Sequence, residues 1–274
     1  MNIETKTLNK HYDNGLLYFT FPLFDKHGIK HAFTTRLGGV SEGQYSTFNA
    51  SFLNGDNRDA VYENWRRLCH AIGLDETRLI FSKQTHTKNV RTVTEADIGK
   101  GITKPLDYDD VDGLISDLAD VGLVTQYADC VPLAFYDIKK RIAATSHAGW
   151  RGTTLEIGRV TVERMKSDFG CDPQDIIAAI GPSIDRCCYE VDEPVFSAFS
   201  KIAYINPDDI FDCKGNGKYM LNLREANRQI LIHAGIREEN IDVADICTCC
   251  NADILHSHRA TGGKRGNLGL VIAK

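Results

Sequence analysis

The chain has 274 residues, 42% of them hydrophobic and 25% charged, with a net charge of −5. That is enough apolar sequence for a sizeable core, and too little net charge of the wrong sign to draw the protein to nucleic acid or anionic lipid. The longest apolar runs, such as Ile176–Pro182, are strand-sized and fall short of the roughly 18–20 residues a membrane span needs. The first residues, MNIETKTLNKHYDNG, carry no apolar signal segment, so a cytoplasmic protein is expected.

The N-terminal part reads as strands, LLYFTFPLF followed by Ile29–Arg36, and then a Gly-rich loop, LGGVSEGQYSTFN. From Asp59 to Ile72, Val61, Trp65, Leu68, Cys69 and Ile72 share one face of a helix that Gly73 ends. Three strand-like segments then finish in residues that bind metals: Leu79–His86, Val121–Cys130 and Arg141–His147. A helix capped at Thr153 or Thr154 follows and runs to Gly170, with Glu156 in its first turn. DIIAAIGP is a buried strand. Helices are expected near Glu193–Lys201 and over Asn222–His233, with strands at Ile241–Cys247 and LGLVIA. No repeat or linker interrupts the chain, so residues 1–274 are expected to form a single domain of the α/β (α+β) class.

Nine cysteines in a long chain without a signal segment are expected to be reduced thiols, mostly buried as small hydrophobes. His86, Cys130 and His147 are different. Two imidazoles and a thiolate are the donors of a catalytic zinc site that keeps one position open. Asp129, beside Cys130, could orient a histidine or move a proton. Competing with this is a core thiol with two ordinary hydrogen-bonding histidines.

SHAGWRGT offers backbone N–H groups, Gly149 and Arg151 at a helix start, where anions such as phosphate bind; a plain tight turn is equally consistent. Arg36, before the Gly-rich loop, is a second candidate phosphate ligand. Cys247 and Cys250 are in C-x-x-C register, but no second C-x-x-C exists to complete a zinc site. His256 and His258 alternate as on a strand, which gives them a shared face whatever their role.

The segments HAFTTRLGGVS, QTH, DGLIS, ADCVPLAFYD, SHAGWRGT, IGPSI…CCYEV and SHR…GGK…G run in an order that resembles the YfiH-like family. It is also called the laccase-domain or multicopper polyphenol oxidoreductase family. The resemblance extends from about Ile29 to the C-terminus. It implies a four-layer α-β-β-α sandwich, zinc held by His86, Cys130 and His147, and purine nucleoside phosphorolysis with methylthioadenosine phosphorolysis and adenosine deamination in one site. Purine nucleoside and phosphate are then the partners. In this reading Cys130, His147 and Asp129 carry the chemistry, and Arg36, Arg151 and Gly149 place the phosphate. Two positions depart from the family pattern: Thr87 follows the histidine where glycine is common, and Arg265 is displaced in the tail GGKRGN. Three alternatives stand beside it: a metal-free hydrolase using Cys130 and His147, copper in the same His₂Cys donor set with polyphenol oxidation, and a peptidoglycan-editing role. Oligomeric state leaves no trace in the sequence.

Overall fold

The computed structural model describes residues 3–274. One sheet contains β1 (Asn9–Asp13), β2 (Leu16–Thr20), β3 (His31–Thr34), β4 (Leu79–Phe81), β7 (Gly122–Tyr127) and β15 (Leu268–Ala273), in the order β1-β2-β3-β15-β7-β4. The second contains β5 (Val90–Thr92), β6 (Gly113–Ser116), β8 (Val131–Asp137), β9 (Ile142–Ala148), β10 (Ile176–Ile180) and β14 (Ile241–Val243), in the order β14-β10-β8-β9-β6-β5. A small third sheet joins β11 (Glu190–Asp192), β12 (Phe211–Gly215) and β13 (Lys218–Leu221).

Three separate apolar clusters make this a four-layer α-β-β-α sandwich. Between the sheets, Ile80, Leu123, Tyr127 and Leu270 meet Leu114, Ala134, Tyr136 and Ile177. Outside the first sheet, the helix Arg58–Ile72 lays Val61, Trp65 and Leu68 on Ala32, Val124 and Val271. Outside the second, the helices Ile157–Phe169 and Leu223–His233 lay Val162, Met165, Ile230 and Leu231 on Leu133, Phe135 and Ala178. Along β8, Leu133 and Phe135 therefore face the helices while Ala134 and Tyr136 face the other sheet, the period of two that a strand imposes. Both faces are covered, so these strands read as continuous apolar runs.

Asn57 caps the first long helix by accepting from the Asp59 and Ala60 N–H groups, and Gly73 ends it in the left-handed conformation. Gly269 lets β15 pass under Trp65: a Cβ there would lie 2.7 Å from the indole ring.

Several boundaries differ from the sequence reading. LLYFTFPLF is a strand only to Thr20, because Pro22 starts a short helix, Pro22–Lys26. The expected helix after His147 is two pieces, Trp150–Thr154 and Ile157–Phe169. Between them Glu156 takes a φ of 57° and binds Arg159 and Tyr204 instead of lying in a first turn. Ile241–Cys247 is a regular strand only to Val243, and β1, β11, β12 and β13 carry too little apolar alternation to have been expected. Among the described residues, no helix is long and apolar enough to cross a membrane.

Candidate active site

His86, Cys130 and His147 come together, though not at three strand ends. Strand β4 stops at Phe81, and His86 lies on the loop beyond it with a φ of 67°. Cys130 immediately precedes β8. His147 is within β9, opposite Pro132 in the antiparallel ladder. The tight β8–β9 register therefore brings Cys130 beside His147 with no help from a helix.

His86 is placed by Asp112, a carboxylate with no solvent exposure. It accepts the backbone N–H groups of Thr85 (2.9 Å), His86 (3.1 Å) and Thr87 (3.0 Å), and the Thr87 hydroxyl (3.1 Å). The same carboxylate accepts His147 Nδ1–H at 2.8 Å, which turns Nε2 of that ring toward Cys130. Burial would raise the Asp112 pKa, but the bonds from His147 and the Thr87 and Thr85 amides outweigh it and hold it at about 2.

Cys130 Sγ lies 3.8 Å from His86 Nε2. The ligand atoms of all three side chains fall within 4.8 Å of one another, and the two imidazoles meet edge to face with centroids 4.8 Å apart. Burial pushes the Cys130 thiol up, yet the attraction of His147 and the hydrogen bonds of both imidazoles bring it down to about 6. Burial likewise lowers His147, while the Cys130 charge and Asp112 raise it to about 9. The thiol is thus poised as thiolate, the form that binds metal. Gly149 packs against this group: a Cβ there would lie 2.8 Å from His86 Cδ2 and 3.0 Å from Cys130 Sγ.

The three donors line a cleft of about 690 Å³, so the arrangement leaves an open side, as a catalytic zinc site requires. Asp129, Lys83, Tyr189, His258, Arg259 and Arg265 line it too. Asp129 accepts from Thr248 Oγ1 (2.6 Å) and from the Arg259 N–H (2.7 Å), so its carboxylate fastens the 248–259 segment to the cleft. Arg265 donates to the Gly266 carbonyl and to Asn267, and its buried Nε has no partner.

The two arginines expected at a phosphate are not among the residues that line this cleft. Arg36 gives its guanidinium to the carbonyls of Ser46 (3.0 Å) and Ala252 (2.8 Å). Arg151 is exposed and stacks over Trp150 at 4.2 Å. Neither lines the cleft, whose cations come instead from Lys83 and the tail. His256 is a buried structural residue: Nε2 donates to the Phe48 carbonyl at 3.0 Å and Nδ1 accepts the Gly266 N–H. Asp112 and Lys83 were missed from the sequence. An aspartate heading the buried strand GLIS was the available signal, since a charge there has to be satisfied by hydrogen bonds.

Residues 30–274 match the family described as multi-copper polyphenol oxidoreductase laccase. Purine nucleoside phosphorylase YlmD of Bacillus subtilis (strain 168) is 35% identical over 237 residues, covering 86% of this chain and 85% of that one. Adenosine deaminase RL5, from an unknown prokaryotic organism, is 33% identical over 243 residues, covering 86% and 90%. The crystal structure of YfiH from Bacillus licheniformis superposes with a TM-score of 0.91 at 32% identity, over 98% of this chain and 99% of that one. With the sandwich and the His–Cys–His cleft in place, the chain belongs to this laccase-like YfiH/YlmD family.

Proposed function

We propose that the protein is a zinc-dependent purine nucleoside phosphorylase, acting on adenosine, inosine, guanosine and methylthioadenosine, with adenosine deamination in the same cleft. The observation that carries this is the convergence of His86, Cys130 and His147 on the open side of a cleft rich in cationic side chains. The names of the similar proteins support the reaction class.

The donor set fits zinc: two imidazole nitrogens and a low-pKa thiolate, with His147 fixed by a carboxylate behind it. Bound there, zinc would supply a Lewis acid, or a water whose pKa falls to about 7. In phosphorolysis the base–C1′ bond breaks, a phosphate oxygen bonds to C1′, and the departing purine nitrogen takes a proton. Arg265 and Lys83 supply positive charge where phosphate must sit against the sugar. Asp129, held by Thr248 and the Arg259 amide, is the carboxyl group placed to hold or pass the purine's proton. Tyr189, lining the same cleft, offers a flat apolar surface to the base. A cytoplasmic setting agrees with nine free thiols, and the 1–274 chain acts as one catalytic domain.

Multicopper oxidation is not favoured. Among the described residues the only histidines that gather as metal ligands are His86 and His147. The test is release of free purine from inosine and adenosine, with and without phosphate, by protein of measured zinc content. Phosphate-dependent base release that Cys130→Ala abolishes is expected. Full turnover in metal-free protein ends this reading in favour of the thiol hydrolase, whereas wild-type turnover in Cys130→Ala ends both.

A further inference from the structure

We propose that Cys187, Cys188, Cys247 and Cys250 form a second metal site, a closed four-thiolate site for zinc that holds one wall of the cleft. It stands on the second cysteine cluster alone and is independent of the catalytic reading above.

The topology makes the cluster. Strands β10 and β14 pair in parallel, so the chain leaves both at the same end. The segment after β10 carries Cys187 and Cys188, and the segment after β14 carries Cys247 and Cys250. The two segments stay paired beyond the strands: Ser183 bridges Cys247, and the Thr248 N–H donates to the Ser183 carbonyl at 3.0 Å. The adjacent pair and the C-x-x-C pair are thereby brought face to face. A search for two C-x-x-C motifs cannot find this arrangement, because one half of it is a C-C.

The distances suit a cation better than a bond between sulfurs. Cys250 Sγ lies 3.4 Å from both Cys187 Sγ and Cys188 Sγ, and those two are 3.7 Å apart. All four sulfurs fall within 4.8 Å of one another, and all four thiols are free. Four sulfurs about 2.3 Å from a zinc ion sit at tetrahedral corners roughly 3.8 Å apart. The observed cluster has about that edge. Its donors are cysteine sulfurs throughout, with no carboxylate or imidazole among them, which selects soft cations over magnesium or calcium. Four protein ligands fill the tetrahedron and leave no place for a substrate, so the site is structural.

Its mechanical position gives it a purpose. The Cys188 carbonyl accepts from Arg259 at 3.2 Å, and Arg259 lies over the Tyr189 ring at 5.4 Å. Thr248, next to Cys247, donates to Asp129. Tyr189, Arg259 and Asp129 all line the catalytic cleft. A metal at the cysteine cluster would clamp together the two segments that present them.

The experiment uses full-length protein expressed with zinc and carrying Cys130→Ser, which disables the catalytic donor set while leaving the cluster intact. We expect about one zinc per chain to remain, and to be lost when Cys250→Ser is added, whereas Cys213→Ser as a control leaves it in place. Cobalt(II) exchanged into Cys130→Ser protein should give the thiolate charge-transfer and intense visible bands of a tetrahedral cobalt–thiolate site. It should also protect Cys187, Cys188, Cys247 and Cys250 from alkylation read by mass spectrometry. The cobalt readout decides the matter even if the double variant fails to fold. Metal-free Cys130→Ser protein, cobalt bound without thiolate bands, or a mapped disulfide between any two of the four cysteines would each overturn the proposal.

Discussion

Asp112 Oδ1 accepts both the His147 Nδ1–H, at 2.8 Å, and the backbone N–H of His86, at 3.1 Å. One buried carboxylate thus sets the tautomer of one candidate zinc ligand and the main-chain position of the other. The left-handed φ of His86 is tolerable because three consecutive amides, from Thr85 to Thr87, turn inward onto the same two oxygens.

Asp112→Asn keeps the shape and removes the charge. An amide has one acceptor oxygen where the carboxylate has two, so it cannot satisfy both His147 and the Thr85–Thr87 amides. Carboxylates behind ligating histidines are typically worth about 10–100-fold in metal affinity. Zinc affinity of Asp112→Asn, measured by competition with a chromophoric chelator, should fall by about that range, with phosphorolysis falling alongside. Unchanged affinity would mean that Asp112 serves the loop alone.

Much of the site was legible in the sequence, for a chemical reason. A thiol and imidazoles at the edges of apolar segments have few roles besides packing and ligation, and the buried β8–β9 hairpin leaves little freedom in where Cys130 and His147 meet. The helix Arg58–Ile72 was legible because its apolar stripe and its Gly73 stop agree. The tail's basic patch of Arg259, Lys264 and Arg265 was visible, but which cations reach the cleft was not legible. Whether Arg36 or Arg265 reaches the cleft depends on how the 30–50 and 252–267 segments cross, a long-range packing matter with no local signature. Arg36 spends its hydrogen bonds on tying these very segments together, through Ser46 and Ala252.

That difference is measurable. Arg265 lines the cleft with a buried, unpartnered Nε, so Arg265→Ala should raise the KM for phosphate by about 10-fold or more, the loss of one charge-assisted hydrogen bond of roughly 1.5–3 kcal/mol. Arg151 is exposed and stacked on Trp150, so Arg151→Ala should leave that KM within about two-fold, in keeping with the small effect of surface substitutions. Steady-state kinetics with phosphate as the varied substrate separates the two. If Arg151→Ala shows the larger effect, the phosphate lies at the start of the Trp150–Thr154 helix instead.

His256 predicts an acid limit to stability. Burial, and then the positive charge of Arg36, pulls its pKa down to about 3, against the donation to the Phe48 carbonyl and the pull of Asp56. The unfolded chain titrates this group near 6.5. A folded-state pKa below the unfolded one means the unfolded chain binds the extra proton first. The stabilisation is therefore complete above pH 6.5 and is lost as pH falls toward 3. At pH 5 the loss is about 2 kcal/mol, 1.5 pH units at about 1.4 kcal/mol each. His31, also buried and lowered by burial, acts in the same direction, so the informative quantity is a difference. Carboxylates such as Asp112, held near 2, begin to matter only at lower pH. His256→Gln can still donate to Phe48 but has no proton to gain. Its urea-derived stability deficit relative to wild type should shrink, by about 2 kcal/mol, as pH is lowered from 7 to 5. A deficit independent of pH would show that the folded chain protonates His256 as readily as the unfolded one, giving up the Gly266 N–H bond to Nδ1 at no cost.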